Sequence, residues 1–203
     1  MSWEDVLVVW GILPAGATVY FFVFWHWFDF WRQHRRLFFV LIAVCFGSLV
    51  AFALALHDLT FATPLDVPAP VAVLGWALVV ASSVFGTVAD RQIGVRVRSF
   101  TPFFDEVGHL DLVTTGAYGV VRHPIYAAGL WFELGLVLVT GHPSVLLAFV
   151  VYAGGAGWFT RQEEAHLVAL LDDPAEYDRY RARVPALWPR LRSTRGQAST
   201  HMP

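Results

Sequence analysis

The chain has 203 residues, of which 57% are hydrophobic, 16% aromatic and only 15% charged, against about a quarter charged in an ordinary soluble domain. Nine Trp and 17 Phe add more apolar surface than one aqueous core of this size hides, and the same numbers exclude a disordered, collagenous, coiled-coil or disulfide-stapled chain. A net charge of −2 argues against a nucleic-acid binder, and the single Cys45 forbids an internal disulfide. This is the composition of an integral membrane protein.

A helix needs about 20 apolar residues to cross the hydrocarbon layer. Five stretches are predicted to do so, 6–28, 37–56, 71–88, 125–141 and 143–159. The first is not read as a cleaved signal, because Glu4 and Asp5 stand where a basic segment would be needed. The last two are separated by little more than Gly141-His142-Pro143, so a tight helical hairpin is expected.

All 14 basic residues are Arg. Arg32, Arg35 and Arg36 fall between spans one and two, and Arg91, Arg96, Arg98 and Arg122 between spans three and four. The remainder follow span five. The N-terminus, the 57–70 loop and the hairpin tip hold none. The positive-inside rule then places the N-terminus outside and the C-terminus inside. The expected fold is an all-α integral membrane protein with five transmembrane helices, forming one membrane domain over 1–192. Its cytoplasmic loop spans 89–124, and its tail, 160–192, carries short helices. Residues 193–203 are expected to be disordered. Trp3, Trp10, Trp25, Trp27 and Trp31 cluster at the ends of the first span and read as an interfacial belt.

The polar chemistry concentrates on the cytoplasmic side after span three. In the loop, Gly116 and Gly119 allow unusual backbone shapes, and Pro124 suits the first position of the fourth helix. Arg122 and His123 then lie beside the free N–H groups of a helix start. That arrangement suits a carboxylate or phosphate, and equally a snorkelling anchor. In the tail, Glu163 and Glu164 stand at the interface, either paired with arginines or binding a cationic ligand. Asp173-Pro174-Ala175-Glu176 is a helix-start pattern with Glu176 reaching back to the cap, and it opens a helix with Tyr177 and Tyr180 on one face. Glu133 is the one acid deep inside a span, two turns after Tyr126 on the same face. It is a functional candidate by default, with pairing to a neighbouring span as the alternative. The eight His show no metal-ligand spacing, so no metal is expected.

The loop run Gly116-Ala117-Tyr118, then Arg122-His123-Pro124-Ile125-Tyr126, is followed by Glu163-Glu164, Glu176-Tyr177-Asp178-Arg179-Tyr180, Arg183-Val184-Pro185 and Pro189. In order and spacing this resembles the isoprenylcysteine carboxyl methyltransferase family and the related phospholipid methyltransferases. Spans one to three resemble it only as generic membrane helices. Ala117, Gly119 and the buried Glu133 depart from the pattern and leave the substrate open.

The resemblance implies S-adenosylmethionine as cofactor, held at the cytoplasmic mouth of the last two spans. A lipophilic acceptor would enter from the bilayer, its reactive group a carboxylate, amine or thiol. Glu163 and Glu164 would meet the cofactor's amino group, and Arg122 and His123, just before Pro124, its carboxylate. Tyr118 and Tyr126 would wall the adenosine. Arg183, fixed by Glu176, would position the acceptor, and an acceptor needing deprotonation would use Glu133, His123 or Glu176. Membrane sterol reductases resemble the same C-terminal half and bind NADPH, although tandem glutamates would repel a pyrophosphate. A non-catalytic scaffold is the remaining alternative. The expected location is a bacterial inner membrane.

Overall fold

The computed structural model describes residues 2–98, 112–171 and 173–190, which are helical wherever they are regular. The expectations for the rest of the 89–124 loop and for the 193–203 tail lie outside the described residues.

The first helix, α1 (Trp3–His26), opens on a reciprocal cap. Asp5 N–H donates to Ser2 Oγ at 3.1 Å, and Ser2 N–H donates to Asp5 Oδ2 at 2.6 Å. Two short breaks at Trp27 and His34 set off α2 (Phe28–Gln33) from α1 and from α3 (Arg35–Ala55). The Trp31 indole N–H donates to Val23 O at 3.1 Å, folding α2 back onto the end of α1. A single turn, α4 (His57–Thr60), leads into α5 (Ala69–Arg98). Next come the turn α6 (Ala117–Val120), then α7 (Pro124–Thr140), α8 (Pro143–Leu170) and α9 (Pro174–Arg183).

Four of these helices, α1, α3, α5 and α8, are long and apolar enough to cross a membrane. The fifth expected span, α7, is apolar but has only 17 residues, or about 25 Å at 1.5 Å per residue, against a hydrocarbon layer of about 30 Å. Its packing compensates for its length. It is flanked by α5, α8 and α1, and buries Ala127, Ala128, Leu130, Glu133, Gly135 and Leu136. Close approach to α5 depends on small residues, since a Cβ on Gly135 would meet Gly75 O at 2.8 Å. By contrast α3 packs chiefly on α1 and leaves most of its surface exposed.

Two helices run further than their apolar stretches. α5 continues past residue 88 to Arg98, and α8 past 159 to Leu170. No proline stops either, so backbone hydrogen bonding carries each helix on after the hydrophobic run ends. Consequently Glu163 and Glu164 sit on the continuing α8 and not on a tail after it.

The hairpin between α7 and α8 is as tight as expected. Gly141 closes α7 with φ 63°, and a Cβ there would strike Leu65 O at 2.5 Å. Leu65 N–H donates to Gly141 O at 3.0 Å, and Ser144 Oγ donates to Thr60 O at 2.7 Å, so the 57–70 segment clasps the hairpin tip. At the other end of the bundle, the α1–α2 corner, the Gly116–His123 segment, the end of α8 and α9 come together.

Candidate functional site

The mouth of the α7–α8 pair is built on backbone pairing. Val121 is extended, and the next two N–H groups donate across to the segment after α9, Arg122 to Pro185 O at 2.8 Å and His123 to Ala186 O at 3.0 Å. Pro124 then starts α7 where its missing N–H is no loss, leaving His123 as the cap residue. The preceding turn is held from two sides. Gly116 has φ 59°, with the Gln92 side chain where a Cβ would lie, and Ala117 N–H donates to Gln92 Oε1 at 2.9 Å. The Tyr180 hydroxyl donates to Tyr118 O at 2.6 Å, tying the turn to α9.

On this frame four charged or titratable side chains converge. Glu164 Oε1 accepts from Arg122 Nε at 2.9 Å and lies 2.7 Å from Arg122 Nη2 and 2.8 Å from His123 Nε2. Arg122 Nη1 donates onward to the carbonyls of Val184 and Arg181. Glu163 approaches the other ring nitrogen, with Oε2 at 3.3 Å from His123 Nδ1. His123 is therefore bracketed by two carboxylates. Burial alone would push its pKa down, but the two carboxylates outweigh it and the pKa is raised, favouring the imidazolium.

The two acids are not equivalent. Glu164 is spent on Arg122 and His123. Among the described residues Glu163 Oε2 is buried with no partner in hydrogen-bond geometry, and unsatisfied buried carboxylate oxygens are rare.

The remaining expected residues divide by position. Tyr126 is part of the cluster, its ring 6.0 Å from that of His123 and 5.3 Å from that of Phe159. Tyr118 is close enough to Glu163 for that charge to add to burial in raising its phenol. Tyr177 and Tyr180 bury one face of α9 against Val168 and Leu171, and burial pushes the Tyr180 phenol up to about 12.

Glu176 and Arg183 are exposed and are not joined to each other among the described residues. The Asp173 cap is present, Ala175 N–H donating to its Oδ1 at 3.0 Å, but Glu176 does not reach back to close the box. Arg179 pairs with Asp173 at 3.0 Å instead. Glu133 is fully buried within the bundle, away from the mouth, and neither carboxylate oxygen has a hydrogen-bond partner among the described residues.

The structure also brings in residues that sequence reasoning left aside. Trp25, read as interfacial belt, and Phe28, read only as the end of the first span, pack on α8 beside the site. The Trp25 ring lies 5.8 Å from Phe159 and 5.7 Å from His166, and Phe28 lies 5.1 Å from His166. The spacing Phe159, Glu163, His166 marks one helix face, and that signal was available once α8 was continued past its apolar part. Gln92 carried no signal in the sequence.

A bundle of membrane-length apolar helices with its charged chemistry gathered at one end defines a helical membrane protein with a polar site at its rim. The chain belongs to the phospholipid methyltransferase family, whose pattern matches residues 71–173, about half of it, including α7, α8 and the whole charged cluster. Among curated proteins, a cobalt-zinc-cadmium resistance protein of Cupriavidus metallidurans is 36% identical over 92 residues, covering 43% of this chain and 40% of that protein. A nickel-cobalt-cadmium resistance protein of Alcaligenes xylosoxydans xylosoxydans is 33% identical over 91 residues, covering 44% and 41%. Each alignment thus spans about two fifths of the relative. No solved structure matches. Among the described residues, no group of three or more His, Cys, Asp or Glu is placed to hold a metal ion.

Proposed function

We propose that this protein moves a methyl group from S-adenosylmethionine to a lipophilic acceptor, with its arginine-rich end facing the cytoplasm. The observation that carries the reading is the buried, unsatisfied Glu163 oxygen in a cluster whose other acid is already neutralised. Its charged neighbour, the His123 ring at 3.3 Å, is outside hydrogen-bond geometry, and the cofactor's ammonium and sulfonium are the kind of partner this oxygen could take, so the donor set fits. His123 offers an opposing cation for its carboxylate, and Tyr118 and Tyr126 offer aromatic surface beside the same acid.

When bound, the cofactor supplies an electrophilic methyl group on a positively charged sulfur. Glu163 holds the cationic part of the ligand. Arg122 and Glu164 fix the ring of His123 and close the mouth toward α9. Methyl transfer is an in-line displacement, so alignment and exclusion of water are the main contributions expected of the chain. For an amine acceptor, a proton must leave the nitrogen. His123, in its neutral fraction, is a titratable group beside Glu163 at 3.3 Å, while the acid Glu133 is buried away from this mouth. Arg183 and Glu176 are exposed on α9, and in this reading they would meet an acceptor only outside the buried cluster.

Calorimetry with S-adenosylhomocysteine on detergent-purified protein tests this reading. Wild type should bind, and Glu163→Gln should lose about tenfold in affinity or more, the worth of one charge-assisted contact. Absence of binding in wild type, or an unchanged affinity in Glu163→Gln, would remove the cofactor assignment. NADPH binding in its place would assign a reductase.

A further inference from the structure

The charges of α9 are sorted along its length. Asp173 at its cap and Glu176 and Asp178 in its first half are followed by Arg179, Arg181 and Arg183 in its second. Arg179 is taken by Asp173. Exposed Arg183 and Arg190 donate to backbone oxygens, Arg183 Nε to Arg179 O at 3.2 Å and Arg190 Nη1 to Ala182 O at 3.4 Å. Each of these bonds uses a single N–H and leaves most of the guanidinium donors over. Arg181 is exposed beside them, so three cations gather at the helix end, and among the described residues none of the three is paired with a carboxylate.

The chain then turns from this polar end along the bundle. Pro185 and Ala186 are level with Arg122 and His123, to which they are bonded, and Trp188 reaches Trp131 of α7, their rings 6.3 Å apart. Trp131 follows Pro124 by about two turns of α7, or about 10 Å along its axis. Trp188 is half exposed at that level, at the depth where an indole is favoured in a bilayer, with the arginines on its polar side. The same segment holds the charged cluster. Pro185 O and Ala186 O accept from the Arg122 and His123 N–H groups, and Val184 O and Arg181 O accept from the Arg122 guanidinium. Whatever seats the end of α9 therefore also sets the mouth of the α7–α8 pair.

We propose that Arg181, Arg183 and Arg190, with Trp188 as apolar anchor, dock the end of α9 on an anionic phospholipid surface, and that this contact tightens the strap over Arg122 and His123. The charge complementarity is to phosphodiesters in a leaflet of net negative charge, where each arginine strengthens attachment about fivefold. Phosphatidylglycerol has this chemistry and carries no amine, thiol or carboxylate. The lipid is therefore a surface and a regulator, distinct from the methyl acceptor.

The test is amide exchange of the full chain in nanodiscs of phosphatidylcholine, alone or mixed with phosphatidylglycerol. In the anionic discs the Arg122 and His123 N–H groups should exchange more slowly by about fivefold or more, the low end of coupling between two sites. Added salt should shrink the difference. Arg181→Gln/Arg190→Gln should remove it and Trp188→Ala should weaken it. Arg181→Lys/Arg190→Lys should keep most of it, and carries the test if the glutamine pair does not fold.

Equal exchange in the two lipids would overturn the proposal, as would a difference that survives the glutamine pair or high salt, or that vanishes in the lysine pair. Equal protection from inorganic phosphate in phosphatidylcholine discs would assign a free-anion site and overturn the docking surface. The readout needs no cofactor. A protein that responds to lipid as expected but binds no S-adenosylhomocysteine would keep its lipid contact and lose the cofactor assignment.

Discussion

Glu164 holds the site together through one oxygen, and removing its charge has a calculable consequence. In Glu164→Gln the Arg122 guanidinium and the His123 ring, with side chains 10% and 6% exposed, face a neutral amide. Removing one partner of a buried ion pair typically costs about 3–5 kcal/mol, because the survivor is left buried and uncompensated. Arg122 keeps two carbonyl acceptors, at Arg181 and Val184, which places the expected loss near the lower figure. For a chain of this size each kcal/mol moves the unfolding midpoint by roughly 2–4 °C, so about 3 kcal/mol predicts a fall of roughly 6–12 °C.

Tryptophan fluorescence during heating in detergent reads that fall. Amide exchange reads its location, since the Arg122 and His123 N–H groups donate to the segment after α9 and should lose protection first. The charge argument makes a further demand. The double variant Arg122→Met/Glu164→Leu removes both charges at once and should be more stable than the less stable single variant. A midpoint for Glu164→Gln within about 2 °C of wild type, or strictly additive losses in the double variant, would refute the reasoning.

His123 gives a pH dependence whose sign is fixed by its raised pKa. Its contribution to stability is fully present below the ordinary value of 6.5 and is lost as pH rises through the folded value. Midpoints measured from pH 6 to 9 should therefore decline through this window in wild type, and the decline should be absent in His123→Gln. Tyr180→Phe removes the 2.6 Å bond to Tyr118 O and should cost about 1 kcal/mol, read as faster exchange around the Gly116 turn with the rest of the bundle unaffected. Glu133→Leu fills the same space without two unsatisfied oxygens and should raise the unfolding midpoint, since such burial costs about 1–3 kcal/mol per group. A lowered midpoint would mean that Glu133 has a stabilising partner within the membrane.

The helices were legible because their signal is simple. A run of 20 apolar residues has few alternatives in a chain of this composition, and Gly141 and Pro143 punctuate the hairpin as glycine and proline should. The helix ends were less legible. Hydrophobicity stops near 88 and 159, but nothing in Ala89-Asp90-Arg91-Gln92 or Thr160-Arg161-Gln162-Glu163 breaks a helix, and both continue into the polar zone. The cluster of Arg122, His123, Glu163 and Glu164 was found from motif spacing. The internal division of labour was not, because which of two adjacent acids faces the arginine depends on the rotation of α8. The contact of Trp25 with α8 was not legible for a related reason, since an interfacial Trp and one packed on a neighbouring helix look identical in one dimension.

The difference between the two acids decides what the site presents to a ligand. Arg122 and Glu164 cancel each other and are further anchored by backbone carbonyls, so as a pair they offer little field. What remains is His123 and Glu163, in contact at 3.3 Å without hydrogen-bond geometry. A zwitterionic ligand can insert its own charges against both, meeting the acid with its cation and the imidazolium with its anion, and need break no strong bond to do so. A site in which Glu163 were the paired acid and Glu164 the loose one would direct the ligand around α8 by about 100°, away from the face that carries Phe159 and His166. The more loosely held of the two acids, Glu163, thus lies on the face of α8 that also carries Phe159 and His166.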